Sequence, residues 1–179
     1  FIYVNEEVVA WASERGALAN VFNVEPDEIK PVEPGHVIVV KRDGSIEDVE
    51  FTKPLELRQC SFERIYFSRG NDPLIYSQRK RLGANLAPRI MNVLGEDIDR
   101  SFFSYIPNTA ETCFLGLLEA VGSALRSIEA DTIWNKIQDG SVTREDLSAL
   151  NHTRVKAELI AHKDQRLRTF ITHDAARRD

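Results

Sequence analysis

The stretch from Cys60 to Arg69 constrains the fold more than any other part of this chain. It is rich in aromatic and β-branched residues, namely Phe62, Ile65, Tyr66 and Phe67, which is the composition of a strand. Pro54 precedes it, and Gly70-Asn71-Asp72-Pro73 follows it as a strong turn signal. We therefore expect a strand here, although two arginines and a glutamate interrupt it and distinguish it from a plain core strand.

The balance of charge changes around this stretch. Residues 1–56 contain five Lys/Arg and twelve Asp/Glu, whereas residues 57–179 contain 18 and 16. The structural pattern changes there too, from antiparallel hairpin signals to alternating strand and helix signals. We therefore predict two domains, 1–56 and 57–179, whose strands belong to different sheets.

Short elements are predicted before the boundary. Residues 7–13 are typical of a buried strand, and residues 14–22 of a short helix. Residues 37–40 form a second strand pattern, and the pair Asp43-Gly44 indicates a hairpin whose other strand is 46–51. This pattern is typical of the end of an α+β domain.

Longer helices are predicted after the boundary. The apolar spacing over 75–94 predicts a helix that Pro88 kinks or divides, and residues 102–106 are a buried-strand candidate. A helix is expected from Asn108, which has capping-box spacing to Glu111. Residues 129–150 are typical of two short helices split at 139–141. The last strand is expected at 167–172.

Composition excludes several classes of protein. Apolar residues make up 42% and charged residues 28% of the 179, which are globular values. No apolar run approaches the ~18 residues of a membrane span, and a net charge of −5 gives no reason to expect nucleic acid. The two cysteines fit a reducing cytosol, so we expect a cytoplasmic protein. Since the chain starts at Phe1 and ends in polar residues, we expect an internal piece of a longer protein.

The Cys60–Arg69 stretch resembles a signature of the amidophosphoribosyltransferases, the glutamine-dependent enzymes that open de novo purine synthesis. That signature is Cys-x-x-Glu-x-x-Tyr-Phe-x-Arg, and the matching residues are Cys60, Glu63, Tyr66, Phe67 and Arg69. Family members usually continue with Pro-Asp-Ser, where this chain has Gly70-Asn71-Asp72. Upstream, Ser13-Glu14 and Pro34-Gly35 resemble the later part of the family's glutaminase domain.

The resemblance implies a fold of class α+β followed by α/β. Residues 1–56 would be the end of an N-terminal-nucleophile glutaminase domain, built of antiparallel strands. Residues 57–179 would be the first part of a type I phosphoribosyltransferase domain, a parallel sheet with helices, including part of its flexible flap.

The turn from Ile106 to Ala110 is the best candidate for a binding site. A strand that ends where a helix starts directs free N–H groups and the helix dipole to one place, which suits a phosphate. The alternative is that Asn108 and Thr109 only cap a helix. The resemblance implies substrate binding by Asn108, Thr109 and Ala110, with Thr109 associated with the Mg²⁺ of phosphoribosyl pyrophosphate. Tyr105 and Asn108 stand where the family has a proline and an acid.

Other assignments come from the resemblance alone. Arg168 matches an arginine of the substrate-covering flap, and the family's nearby lysine falls between His162 and Lys163. Phe62 and Tyr66 match aromatics that help line the route for ammonia, the alternative being core packing. In some members a cysteine at the position of Cys60 ligates a [4Fe–4S] cluster. We favour a plain buried cysteine, because a cluster needs about four thiolates.

The predicted function is that of the parent enzyme, which makes phosphoribosylamine from glutamine and phosphoribosyl pyrophosphate and is expected to be a homo-oligomer. The chain contains no catalytic residue of either step, since the cysteine nucleophile and the acidic phosphoribosyl pyrophosphate loop are both missing from it. We therefore expect the chain alone to be inactive. The alternatives are a salvage-type phosphoribosyltransferase and a non-catalytic module that binds phosphoribosyl pyrophosphate.

Overall fold

The computed structural model describes residues 1–56, 58, 60–149 and 155–162. The chain divides into two compact units, Phe1–Tyr76 and Ser77–Asp179. The boundary between the units lies further along the chain than the boundary predicted after residue 56, which stays a prediction about function. None of the helices in the described part combines the length and the apolar composition that crossing a bilayer requires.

The first unit opens with a small sheet and a helix. Strand β1 (Ile2–Val4) pairs antiparallel with β2 (Val9–Trp11), and helix α1 (Arg15–Phe22) follows. The small core combines buried side chains from the sheet, the helix and the following turn, namely Tyr3, Leu18 and Ile29. The strand predicted within 7–13 and the helix predicted at 14–22 are thus confirmed.

A separate hairpin follows in the same unit. Strand β3 (His36–Val40) pairs antiparallel with β4 (Ile46–Glu50), with Val40 opposite Ile46 next to the turn. Gly44 has a φ of 84°, a conformation that glycine adopts without steric cost. The hairpin predicted from Asp43-Gly44 is therefore confirmed.

The strand predicted at 60–69 is wrong, because this segment contains a short π-helix, Glu63–Phe67. The helical backbone brings three rings together: Phe62 and Tyr66 stack with centroids 4.9 Å apart, and Phe67 meets them edge-on at 5.5 and 5.4 Å. A strand would direct Phe67 to the opposite face from the other two. Each such ring contact contributes about 0.5–1.5 kcal/mol, which outweighs a preference for β structure that depends on context.

The second unit is dominated by two long helices in its described part. Helix α2 (Pro73–Leu94) begins in the first unit and contains Pro88 without being divided by it. Helix α3 (Glu111–Gln138) extends through the region where a separate short helix was predicted, and α4 (Arg144–Ala149) follows the expected interruption at 139–141. The core is formed by Ala87, Phe103, Phe114, Leu117 and Val121.

The strand predicted at 102–106 is also wrong. Phe103 makes one isolated parallel bridge with Ala157, in which its N–H donates to the Lys156 carbonyl at 2.8 Å. Its ring is buried among residues of α2 and α3, so the apolar run serves a helical core. The parallel sheet of the predicted phosphoribosyltransferase domain stays a prediction, and the strand expected at 167–172 lies outside the described residues.

Two glycines allow α2 and α3 to approach each other closely. A Cβ atom on Gly83 would overlap the carbonyl oxygen of Cys113, and one on Gly116 would overlap that of Lys80. Both obstacles are backbone atoms, which cannot move aside as a flexible side chain can. The helices are therefore held at a separation that only glycine permits at these two positions.

We predict that Gly116→Ala lowers the free energy of unfolding by about 1–3 kcal/mol, because it forces α2 and α3 apart. Gly122→Ala is the matched control in the same helix. Its Cβ would meet only the end of the Arg126 side chain at 3.3 Å and Val155 at 3.7 Å, so better helix propensity should leave stability unchanged or raised by up to about 1 kcal/mol. Urea denaturation measures both, and equal effects would contradict the close crossing.

Candidate functional site

The segment Pro107–Ala110 forms a turn that leads directly into α3. The Glu111 N–H donates to the Asn108 carbonyl at 3.2 Å, and the Phe114 N–H donates to the Ala110 carbonyl at 2.8 Å. The helix starts at Glu111, and its cap residue, Ala110, has no side-chain capping bond. The predicted capping of the helix by the Asn108 side chain is therefore wrong, because the helix begins three residues later and uses the Asn108 carbonyl instead.

The amide groups of this turn are available to an anion. Asn108, Thr109 and Ala110 are all exposed, and their N–H groups have no acceptor among the residues that the structure describes. They lie at the N-terminus of a helix of 28 residues, where the macrodipole favours negative charge. The three predicted substrate-binding residues of this turn thus lie together, and their role toward pyrophosphate stays a prediction.

A carboxylate that sequence reasoning missed lies beside these amides. Glu111 is the first residue of α3, and the Tyr105 hydroxyl donates a hydrogen bond to its carboxylate. Burial raises the pKa of Tyr105, and the charge and hydrogen bond of Glu111 raise it further. The Tyr105 ring also packs on Phe114, with centroids 4.9 Å apart. The turn therefore combines amide donors with a fixed negative charge, an arrangement that favours an anion carrying its own cation over a free anion.

The side chains of the turn do not form a metal site by themselves. Among the described residues no three His, Cys, Asp or Glu side chains are grouped so that they could hold a metal ion. Thr109 supplies a neutral hydroxyl, and the nearby Glu111 carboxylate already accepts a bond from Tyr105. Mg²⁺ is commonly held by one or two carboxylates together with substrate phosphates, so the ion implied by the resemblance would arrive as part of the substrate.

The two cysteines do not fit an iron–sulfur cluster within this chain. A cluster takes about four thiolates, and the sequence contains Cys60 and Cys113 only. Cys60 is exposed, contrary to the expectation of a buried residue, while Cys113 is partly buried and burial raises its pKa. We derive no step through a cluster.

The predicted ammonia-route pair lies in the first unit. Phe62 and Tyr66 do share one face, as expected, but they do so one helical turn apart rather than along a strand. Phe62 is 50% exposed, so full burial in the core does not account for it. Arg168 and Lys163 lie outside the described residues, and His162 is exposed.

A cavity of about 640 Å³ lies within the first unit. Its wall carries most of the unit's charged groups around α1 and the 60–72 segment, namely Glu14, Arg15, Arg58, Glu63, Arg64, Arg69 and Asp72, together with the Cys60 thiol. The Arg15 guanidinium donates two hydrogen bonds to the Asp72 carboxylate, at 2.9 Å from Nε and 2.8 Å from Nη2. Sequence patterns gave no signal for this pair.

Asp72 has a second role at the start of α2. Its Oδ1 accepts hydrogen bonds from the Leu74 N–H at 2.9 Å and from the Ile75 N–H at 3.3 Å. These are donors that a helix leaves unsatisfied at its N-terminus. The hydrogen bond from Arg15 is the largest cause that lowers the pKa of Asp72, and the same bond raises the pKa of Arg15. An Asp directly before Pro73 could have been recognised as a cap.

The comparisons with known proteins give one relationship. No family model matches the chain, and no solved structure matches it significantly. A curated protein of Archaeoglobus fulgidus named amidophosphoribosyltransferase is 29% identical over 98 residues, which cover 52% of this chain and 20% of that protein. The chain is therefore similar to an amidophosphoribosyltransferase over about half of its length and spans one fifth of that relative.

We predict that Asp72 makes stability depend on acid pH. Its folded pKa is lowered, so its contribution is fully present above the unfolded carboxyl pKa of about 3.9 and is lost as the pH falls through the lower folded value. The free energy of unfolding should decline below about pH 4 in the parent chain and decline less in Asp72→Asn. Asp131→Asn, at an exposed site of α3, is the control. Parallel declines in both variants would contradict the assignment.

Proposed function

We propose that this chain is part of an amidophosphoribosyltransferase and that the turn before α3 binds the pyrophosphate of phosphoribosyl pyrophosphate. The observation that carries the proposal is the cluster of exposed amides at Asn108, Thr109 and Ala110, which lack acceptors among the described residues and precede a long helix. The similarity to the Archaeoglobus fulgidus protein supports it, as does the Cys60–Arg69 signature.

Binding at the turn would use backbone more than side chains. The amides of residues 108–110 would donate to pyrophosphate oxygens, and the Thr109 hydroxyl would add one further donor or a neutral metal ligand. In the parent reaction these donors would stabilise the negative charge that gathers on pyrophosphate as it leaves C1 of the ribose. Mg²⁺ bound to the substrate would neutralise part of that charge.

Glu111 would make the turn select the metal-bound form of its ligand. Its carboxylate lies beside the amides and is fixed by the Tyr105 hydroxyl. Uncomplexed pyrophosphate would be repelled by this charge, whereas a Mg²⁺ complex would offer a cation to it. The glutamine half-reaction would take place elsewhere in the parent, since it requires an activated thiol with its own base.

A non-catalytic module that binds phosphoribosyl pyrophosphate is the second candidate. One observation favours it: the residue at the family's acidic position is Asn108, and the only acid beside the turn in the described part is bonded to Tyr105. Such a module would bind the ligand without helping pyrophosphate to leave.

Calorimetric titration of the chain with phosphoribosyl pyrophosphate and Mg²⁺ tests the proposal. We expect binding that Thr109→Ala weakens about tenfold, the effect of one hydrogen bond to a charged group. Thr132→Ala, an exposed threonine on α3 whose hydroxyl bonds to the Ile128 carbonyl, should leave affinity unchanged. Glu111→Gln should reduce the dependence of pyrophosphate binding on Mg²⁺.

Two outcomes would contradict the proposal. Absence of binding at millimolar ligand would remove the turn as a pyrophosphate site, and equal losses in Thr109→Ala and Thr132→Ala would show that the effect is on stability. Pyrophosphate release with ammonia supplied distinguishes the two candidates in the full-length parent, because only the enzyme should turn over.

A further inference from the structure

The contacts between α1 and the segment 60–72 are mainly ionic. Arg15 at the start of α1 pairs with Asp72, and Glu14 beside it pairs with Arg69, whose Nε lies 3.5 Å from Oε2 of Glu14. The apolar core of this unit consists of Tyr3, Leu18 and Ile29 with their neighbours and includes no residue of 60–72. The attachment of this segment therefore depends on charge rather than on burial of apolar surface.

The two ion pairs differ in strength. The Arg15 and Asp72 side chains are only 18% and 9% exposed, and both of their hydrogen bonds are short, so water screens them little. Arg69 is 63% exposed. Moreover, Oε2 of Glu14 is buried without a hydrogen-bond donor among the described residues, so its contact with Arg69 is ionic only. We assign most of the attachment to Arg15 and Asp72.

Segment 60–72 also forms one wall of the cavity whose other wall includes Ser13 to Gly16. The approach at this edge is close, since a Cβ on Gly16 would lie 3.2 Å from Oδ1 of Asn71. The cavity wall mixes arginines and carboxylates, most of which already have partners, so it does not select one class of ligand. What the geometry does define is how the cavity is closed.

We propose that the pairs Arg15–Asp72 and Glu14–Arg69 form an ionic clasp and that segment 60–72 is a strap over the cavity, which swings away when the clasp opens. The strap has little structure of its own to resist this motion, because a single short helical turn is marginal in isolation. The clasp also sets the start of α2, since Asp72 caps that helix. This proposal stands independently of the proposed function.

Residue-resolved hydrogen exchange of the whole chain tests the clasp. Arg15→Gln should accelerate exchange of the strap amides of Ser68 and Asp72 and of the capped amides of Leu74 and Ile75 by about 10- to 100-fold, the loss of a charged hydrogen-bonded pair. The amides of Ile2 and Lys30, which bond to each other's carbonyls at 2.8 and 3.0 Å, report on the N-terminal core and should keep their rates.

Matched variants separate the pair from a general loss of positive charge. Arg42→Gln removes an exposed arginine from the turn of the β3–β4 hairpin and should change none of these rates. Arg69→Gln should accelerate the strap at most about fivefold, since exposed pairs contribute little. In a double-mutant cycle, Asp72→Asn combined with Arg15→Gln should be less damaging than the product of the two single effects.

The strap would be excluded by any of three results. Unchanged rates in Arg15→Gln would show that Asp72 holds the segment without its partner. Acceleration of Leu74 and Ile75 alone would reduce Arg15 to a support for the helix cap. Equal acceleration of Ile2 and Lys30 would mean that the whole unit unfolds.

Discussion

The start of α2 depends on one nearly buried carboxylate. Asp72 accepts two hydrogen bonds from Arg15 and two from the first amides of the helix, which uses nearly all of the acceptor capacity of an ionised side chain. A buried carboxylate without such partners would be protonated or would destabilise the fold. The helix cap and the ion pair are therefore one interaction, and neither partner can be replaced without affecting both.

Further along, α2 is fixed by backbone rather than by charge. Gly83 and Gly116 place the two long helices where a methyl group cannot fit, and this close contact positions α3 together with Phe114, Leu117 and Val121 in the core. The turn at 107–110 inherits its place from the helix that follows it. The candidate site is thus held by a glycine contact that is distant from it in sequence.

Local chemistry predicted the hairpin, the long α2 helix and the turn before α3, because Asp43-Gly44 and the apolar spacing of 75–94 act over a few residues. It failed at 60–69 and 102–106, where aromatic content indicated strands. Strand propensity measures how well a side chain suits a pleated surface. Here Phe62 and Phe103 meet partners on helices instead. Arg15 and Asp72, 57 residues apart, could not be paired without knowledge of the fold.

The acid beside the candidate pyrophosphate turn lies where the resemblance does not put it. The family has an acid at the position of Asn108, while this chain has Glu111 at the first position of α3. A carboxylate there interacts favourably with the helix dipole and is held by the Tyr105 hydroxyl, itself at the family's proline position. The two departures from the pattern therefore compensate each other. One removes a carboxylate, and the other supplies the hydroxyl that fixes a new carboxylate next to the same amides.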